Sequence, residues 1–157
     1  MMLRPRQREF VTRSIEALRT HGNTLGVAPT GSGKTICLSG TAGEFLTHPD
    51  AKACVLAHRD ELTAQNQSKF SRVNPGISTS VFDSHQKSWA GQATFAMVQT
   101  LVRNLDQMPI LDLLVIDEAH HCAAPTYRQV IDKTLARNPK ALIYGVTATP
   151  NRGDGKG

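Results

Sequence analysis

The sequence predicts an α/β domain: a mostly parallel central sheet with helices on both faces. Three observations carry this prediction. Short apolar runs alternate along the chain with segments of helical period. Two of the runs, Ala53-Cys54-Val55-Leu56-Ala57 and Leu113-Leu114-Val115-Ile116, are apolar throughout, as a strand buried on both faces must be. The residues with chemistry to offer stand just after such runs, and parallel sheets place ligands at the carboxyl ends of their strands.

Each element follows from its local sequence. Residues 5–20 read as an amphipathic helix, with Phe10, Val11, Ile15 and Leu18 at helical spacing and arginines opposite, stopped by His21-Gly22-Asn23. A first strand, Leu25-Gly26-Val27-Ala28, leads into a glycine-rich loop and a helix over 34–47 that carries Ile36, Leu38, Ala42, Phe45 and Leu46 and stops at His48-Pro49-Asp50. The strand over 53–57 precedes a helix capped by Asp60 and ending near Asn74-Pro75-Gly76. A weaker strand spans 77–82, a polar loop with the sole tryptophan, Trp89, spans 83–92, and a strand spans 93–98. A helical turn over 101–105, the strand at 113–116, a helix over 127–137 and a strand over 141–146 complete the set. Residues 1–150 form one domain, and 151–157, Gly-rich and polar, read as the start of a linker.

The chain has 157 residues, enough for one real core, and a formal net charge of +5, which permits a polyanionic partner without requiring one. No run reaches the ~18 apolar residues of a membrane span. Met1-Met2-Leu3 meets Arg4, Arg6 and Arg8 without the apolar stretch of a secretory signal. Three cysteines, Cys37, Cys54 and Cys122, lie in or beside apolar or helical segments with no Cys-x-x-Cys pair, which fits a reduced cytoplasmic protein with small buried thiols.

Two stretches carry chemistry. Ala28-Pro29-Thr30-Gly31-Ser32-Gly33-Lys34-Thr35 lies between a strand and a helix. There Gly31 and Gly33 bring backbone N–H groups to phosphate oxygens, the helix N-terminus adds its positive end, Lys34 reaches the β- and γ-phosphates, and Thr35 offers a hydroxyl to Mg²⁺. Pro29, Thr30 and Ser32 complete the cradle. Asp117 and Glu118 follow the strand at 113–116. On a strand neighbouring the phosphate loop, Asp117 is placed to hold Mg²⁺, and Glu118 to polarise the water that attacks the γ-phosphate.

Ala28 to Thr35, Asp117-Glu118-Ala119-His120 and Thr147-Ala148-Thr149 resemble motifs I, II and III of the superfamily 2 DEAD/DEAH-box helicases, in order and over nearly the whole chain. Within that superfamily the chain resembles the bacterial type III restriction-subunit-like helicases, which stand in the same broad group as the excision-repair and RadD-like helicases. The resemblance implies the first RecA-like, ATP-binding domain of a motor, with ATP and Mg²⁺ as cofactors. It implies that Gln7 and Arg4, in Leu3-Arg4-Pro5-Arg6-Gln7, meet adenine; many relatives carry an aromatic where Arg6 stands. It implies that His58 and Arg59, then Gln99 and Thr100, touch a nucleic-acid backbone, DNA more than RNA, and that His120, Thr147 and Thr149 couple nucleotide state to that contact. Motifs IV to VI and the arginine finger of a second RecA-like domain have no counterpart here, so the chain is expected to be a monomeric first motor domain, nearly inactive in hydrolysis alone. The alternatives are a nucleotide-binding docking module without motor activity, or a small P-loop kinase; the kinase's acceptor pocket and lid arginines are not found, and it leaves Thr147-Ala148-Thr149 unexplained.

Overall fold

The computed structural model describes residues 3–28, 31–119 and 123–148, with the side chains of 27, 28, 31, 32 and 148 left aside. Six strands form one sheet: β1 (Asn23–Ala28), β2 (Ala53–Ala57), β3 (Thr79–Phe82), β4 (Ala93–Met97), β5 (Leu113–Asp117) and β6 (Leu142–Ala148). Their order is β1-β6-β5-β2-β4-β3, and every ladder is parallel. Among the described residues, an isolated bridge from Phe82 to Lys87 is antiparallel. Five helices accompany the sheet: α1 (Pro5–His21), α2 (Gly31–Glu44), α3 (Asp60–Val73), α4 (Val98–Val102) and α5 (Pro125–Arg137). No described helix is long and apolar enough to cross a membrane.

Alternate residues of each strand feed opposite faces. Ala53, Val55, Phe95, Leu113, Val115, Tyr144 and Val146 pack with Leu18 of α1, Leu38 and Ala42 of α2 and Phe70 of α3. Cys54, Leu56, Ala96, Leu114 and Ile116 pack with Val98 and Leu101 of α4 and Val130 of α5. β2, and β5 up to Asp117, are apolar throughout because both of their faces are covered. Phe70 meets Phe95 edge to face at 5.3 Å.

The boundaries differ from the sequence reading in ways that have local causes. The second helix begins at Gly31, inside the glycine-rich loop, and ends at Glu44; Phe45 and Leu46 then donate to Ala42 and Gly43 in a tighter turn. The third helix has Arg59, not Asp60, as its N-cap. Asp60 is the first helical residue, and its carboxylate accepts from Ser84 Oγ at 2.6 Å. The turn expected at 101–105 starts at once after β4, because Val98 and Leu101 are drawn into the core; a 3₁₀ turn, Leu105–Gln107, follows. The strand expected from 77 starts at Thr79. The loop over 83–92 folds back, with Trp89 packed 5.3 Å from Phe82. Helix α1 opens with Pro5 at its first turn and closes at Gly22, whose φ of 81° is natural only for glycine and lets its N–H reach Leu18 O at 2.8 Å.

Candidate functional site

The carboxyl ends of the strands share one rim, and the strand order sets the sequence of groups along it. Strand β1 delivers the glycine-rich loop. The carboxylates do not follow on the next strand, as expected: β6 lies between β1 and β5. In register, Val27 sits beside Thr147 and Val146 beside Asp117. Thr147 therefore stands at the rim between the loop and the acidic pair, half-buried.

The predicted lysine and both carboxylates converge. Lys34, in the first turns of α2, is 5% exposed, and Asp117 at the end of β5 is 1% exposed. Lys34 Nζ donates to Asp117 Oδ1 and, at 2.9 Å, to Glu118 Oε2. Burial lowers the Lys34 pKa, but the hydrogen bonds and charges of Asp117 and Glu118 outweigh it and leave the ammonium above its ordinary value. Glu118 takes a left-handed φ of 59°, a conformation that side-chain-bearing residues seldom adopt outside functional sites. That kink turns its carboxylate toward Lys34 immediately after Asp117.

Two residues that the sequence reading did not single out complete the site. Asn66, on α3 and 2% exposed, donates from Nδ2 to Asp117 Oδ2 at 2.9 Å. Its Oδ1 accepts a long, 3.4 Å hydrogen bond from Thr35 Oγ1. The signal was present: Thr63, Asn66 and Phe70 form the buried stripe of α3, so an amide stands where an apolar residue is the default. Tyr127 of α5 lies buried against the same carboxylates; burial, then the charges of Asp117 and Glu118, push its hydroxyl up to about 12.

The oxygen donors fit a magnesium ion: a carboxylate and a hydroxyl are hard ligands, and a cationic ammonium already rests against Asp117 Oδ1. Thr35 and Asp117, tied through one amide, are the pair that would hold it.

The remaining predicted residues fall into three groups. His58 and Arg59 follow β2, and Gln99 follows the adjacent β4, whose Met97 pairs with Ala57. Arg59 and Gln99 are exposed and His58 half-buried, so the rim brings these three together. Thr100 differs: it is buried in α4, so Gln99 alone of that pair faces solvent. Arg4 and Gln7 are bonded to each other, Arg4 N donating to Gln7 Oε1 at 2.9 Å, which closes the first turn of α1. Pro29, Thr30, His120 and Thr149 lie outside the described residues, as do Cys122 and the expected linker; Gly31, Ser32 and Gly33 are described as the start of α2. Cys37 and Cys54 are buried.

A parallel sheet whose rim gathers a buried lysine, a hydroxyl and paired carboxylates behind a glycine-rich loop defines a RecA-like nucleotide-site architecture. Residues 1–152 match the family described as "Type III restriction enzyme, res subunit", and the chain belongs to that family. It is 27% identical over 168 residues to "Putative ATP-dependent helicase IRC3" of Saccharomyces cerevisiae, the match covering 98% of this chain and 24% of that protein. It is 32% identical over 170 residues to "Putative mitochondrial ATP-dependent helicase irc3" of Schizosaccharomyces pombe, covering 100% and 27%. The chain thus spans about a quarter of the length of these relatives. Among solved structures, the Pyrococcus furiosus Hef helicase domain superposes with a TM-score of 0.77 at 24% identity, over 96% of this chain and 34% of the other. The UvsW helicase of bacteriophage T4 superposes with a TM-score of 0.71 at 17% identity, over 94% and 52%. At those identities the likeness is one of fold.

Proposed function

We propose that this chain is the ATP·Mg²⁺-binding first motor domain of an ATP-dependent superfamily 2 helicase or translocase acting on DNA. The observation that carries this reading is the meeting of Lys34 with Asp117 and Glu118 at the sheet's rim, with Thr35 tied to Asp117 through Asn66. Lys34 exchanges its carboxylate partners for the β- and γ-phosphates when nucleotide enters, a short swing for a flexible four-carbon stem. Asp117 and Thr35 would hold Mg²⁺, which would neutralise charge on the phosphates. Freed of the ammonium, Glu118 orients and deprotonates the attacking water. Arg4 and Gln7 meet adenine, which requires Gln7 to leave its capping bond. Arg59, His58 and Gln99 contact the sugar-phosphate backbone, which needs charge and donors but no base reading. Thr147, between loop and carboxylates, links the two regions, together with His120 and Thr149. A second motor domain of the same protein supplies the arginine finger, worth about 10³–10⁵ in rate in comparable motors.

The test is a titration with a fluorescent ATP analogue, with and without Mg²⁺, on wild type and Lys34→Ala, followed by anisotropy with single-stranded DNA and RNA of one sequence. Mg²⁺-dependent binding lost in Lys34→Ala, with DNA bound more tightly than RNA, is expected. Absence of Mg²⁺-dependent nucleotide binding in the wild type removes the motor reading; tighter RNA binding removes the choice of DNA. Rapid nucleic-acid-stimulated hydrolysis by these 157 residues contradicts the need for a second domain.

A further inference from the structure

We infer that Asn66 is a positioning residue for the metal-holding pair, acting on Asp117 and Thr35 at once. This deepens the nucleotide-site reading and rests on it. The orientation of the amide follows from its neighbours. A carboxylate cannot donate, so Nδ2 must face Asp117 Oδ2, at 2.9 Å, and Oδ1 is left facing the Thr35 hydroxyl, at 3.4 Å. Each bond decides which oxygen lone pairs stay available. Holding Asp117 by Oδ2 aims Oδ1 toward Lys34 Nζ, the place where positive charge sits in this structure. Accepting the Thr35 proton turns that oxygen's lone pairs away from the amide. One side chain thereby fixes the rotamers of two hard oxygen ligands supplied by different elements, α2 and β5.

The amide can hold this geometry because it is itself held. Asn66 lies on the buried stripe of α3 between Thr63 and Phe70, 2% exposed, with Phe70 anchored edge to face on Phe95. No other role is evident for so polar a group there: a buried amide costs free energy unless both its ends are bonded, and its two described bonds both go to the predicted ligands. Outer-shell groups of this kind typically change metal affinity by about 10–100-fold when removed.

The experiment measures fluorescent ADP binding to the whole chain in EDTA and across a Mg²⁺ titration, with melting curves alongside. The variants are Asn66→Leu, which keeps the branched skeleton and deletes both bonds, Asn66→Ala, and Asp117→Asn. The expected result is that the Asn66 variants raise the Mg²⁺ concentration for half-maximal tightening by about 10–100-fold, while affinity in EDTA stays within about twofold. A merely structural role lowers both affinities together, and that pattern overturns the inference. So does an Mg²⁺ titration unchanged from wild type. If Asn66→Leu fails to fold, Asn66→Ala is read by the same criteria. Failure of the underlying reading looks different: wild type then shows no Mg²⁺-dependent tightening, or Asp117→Asn keeps it.

Discussion

Replacing Lys34 with alanine tests the site without any ligand present. The ammonium is 5% exposed and donates to Asp117, 1% exposed, and to Glu118, whose side chain is 27% exposed. Deleting it leaves Asp117 buried, with the Asn66 amide as its partner among the described residues. Breaking one side of a buried pair costs about 3–5 kcal/mol, because the surviving charge stays desolvated. The contact to Glu118 adds little, roughly 0–1 kcal/mol, since that side chain reaches water. At about 2–4 °C per kcal/mol for a chain of this size, the melting temperature falls by roughly 6–20 °C. The assay is thermal and urea unfolding without nucleotide. Replacing both partners, Lys34→Met with Asp117→Leu, leaves no orphaned charge and is expected to recover most of the loss. The pH dependence carries a sign. Burial lowers the Lys34 pKa and the two carboxylates raise it by more, so the folded value lies above the ordinary 10.5. The pair's stability is therefore complete below 10.5 and is lost as pH climbs through the folded value. The gap between wild type and Lys34→Ala stays flat between about pH 7 and 9 and narrows only in alkali. A variant that melts with the wild type, or a gap that closes near neutrality, refutes the buried pair.

Three further outcomes follow from individual residues. Glu118 at φ 59° carries left-handed strain of about 1–2 kcal/mol, so Glu118→Gly should unfold at higher urea than Glu118→Ala, which loses the same carboxylate without relief; equal midpoints would show no strain. At Gly91 an added Cβ would meet the Thr79 carbonyl carbon at 2.5 Å and Ser80 N at 2.8 Å, both backbone, so Gly91→Ala should lower stability by about 1–3 kcal/mol, and a neutral result would mean that the β3–β4 edge yields. Burial raises the Cys37 thiol to about 11 and pushes Cys54 up as well, so iodoacetamide near pH 8 should leave both unmodified in the native state, as read by peptide mass mapping; their rapid labelling before unfolding contradicts that burial.

Local pattern disclosed the elements and missed their neighbours. The strand at 53–57 was legible to the residue, since a strand covered on both faces must be apolar throughout and Pro49 and Asp60 fence it in. Local sequence starts the helix after the glycine-rich loop three residues late, at Lys34 and not at Gly31, because Gly31 and Gly33 have poor helix propensity. The resemblance assigns Arg4 and Gln7 to adenine, yet a glutamine three residues after an N-cap is equally a capping signal, and the structure shows that bond. Thr100 looked like a surface donor until α4 turned it inward.

Lateral order is where sequence falls silent. Periodicity says which residues share a face and which end of a strand bears chemistry; nothing in it says that the last strand slots between the first and the fifth. That insertion has a consequence for the site. With β6 between them, the loop and the carboxylates stand two strand spacings apart, about 10 Å. A long side chain is then required to close the distance, and Lys34 supplies it, while a threonine on β6 stands beneath the span. On the other side β5 borders β2 directly, so Asp117 lies one strand from the chain that leads out of β2 into α3, and Asn66 reaches across from that helix. The helical period can place Asn66 on the buried stripe of α3, but its role comes from a neighbour 51 positions away in the chain, a pairing that the strand order creates.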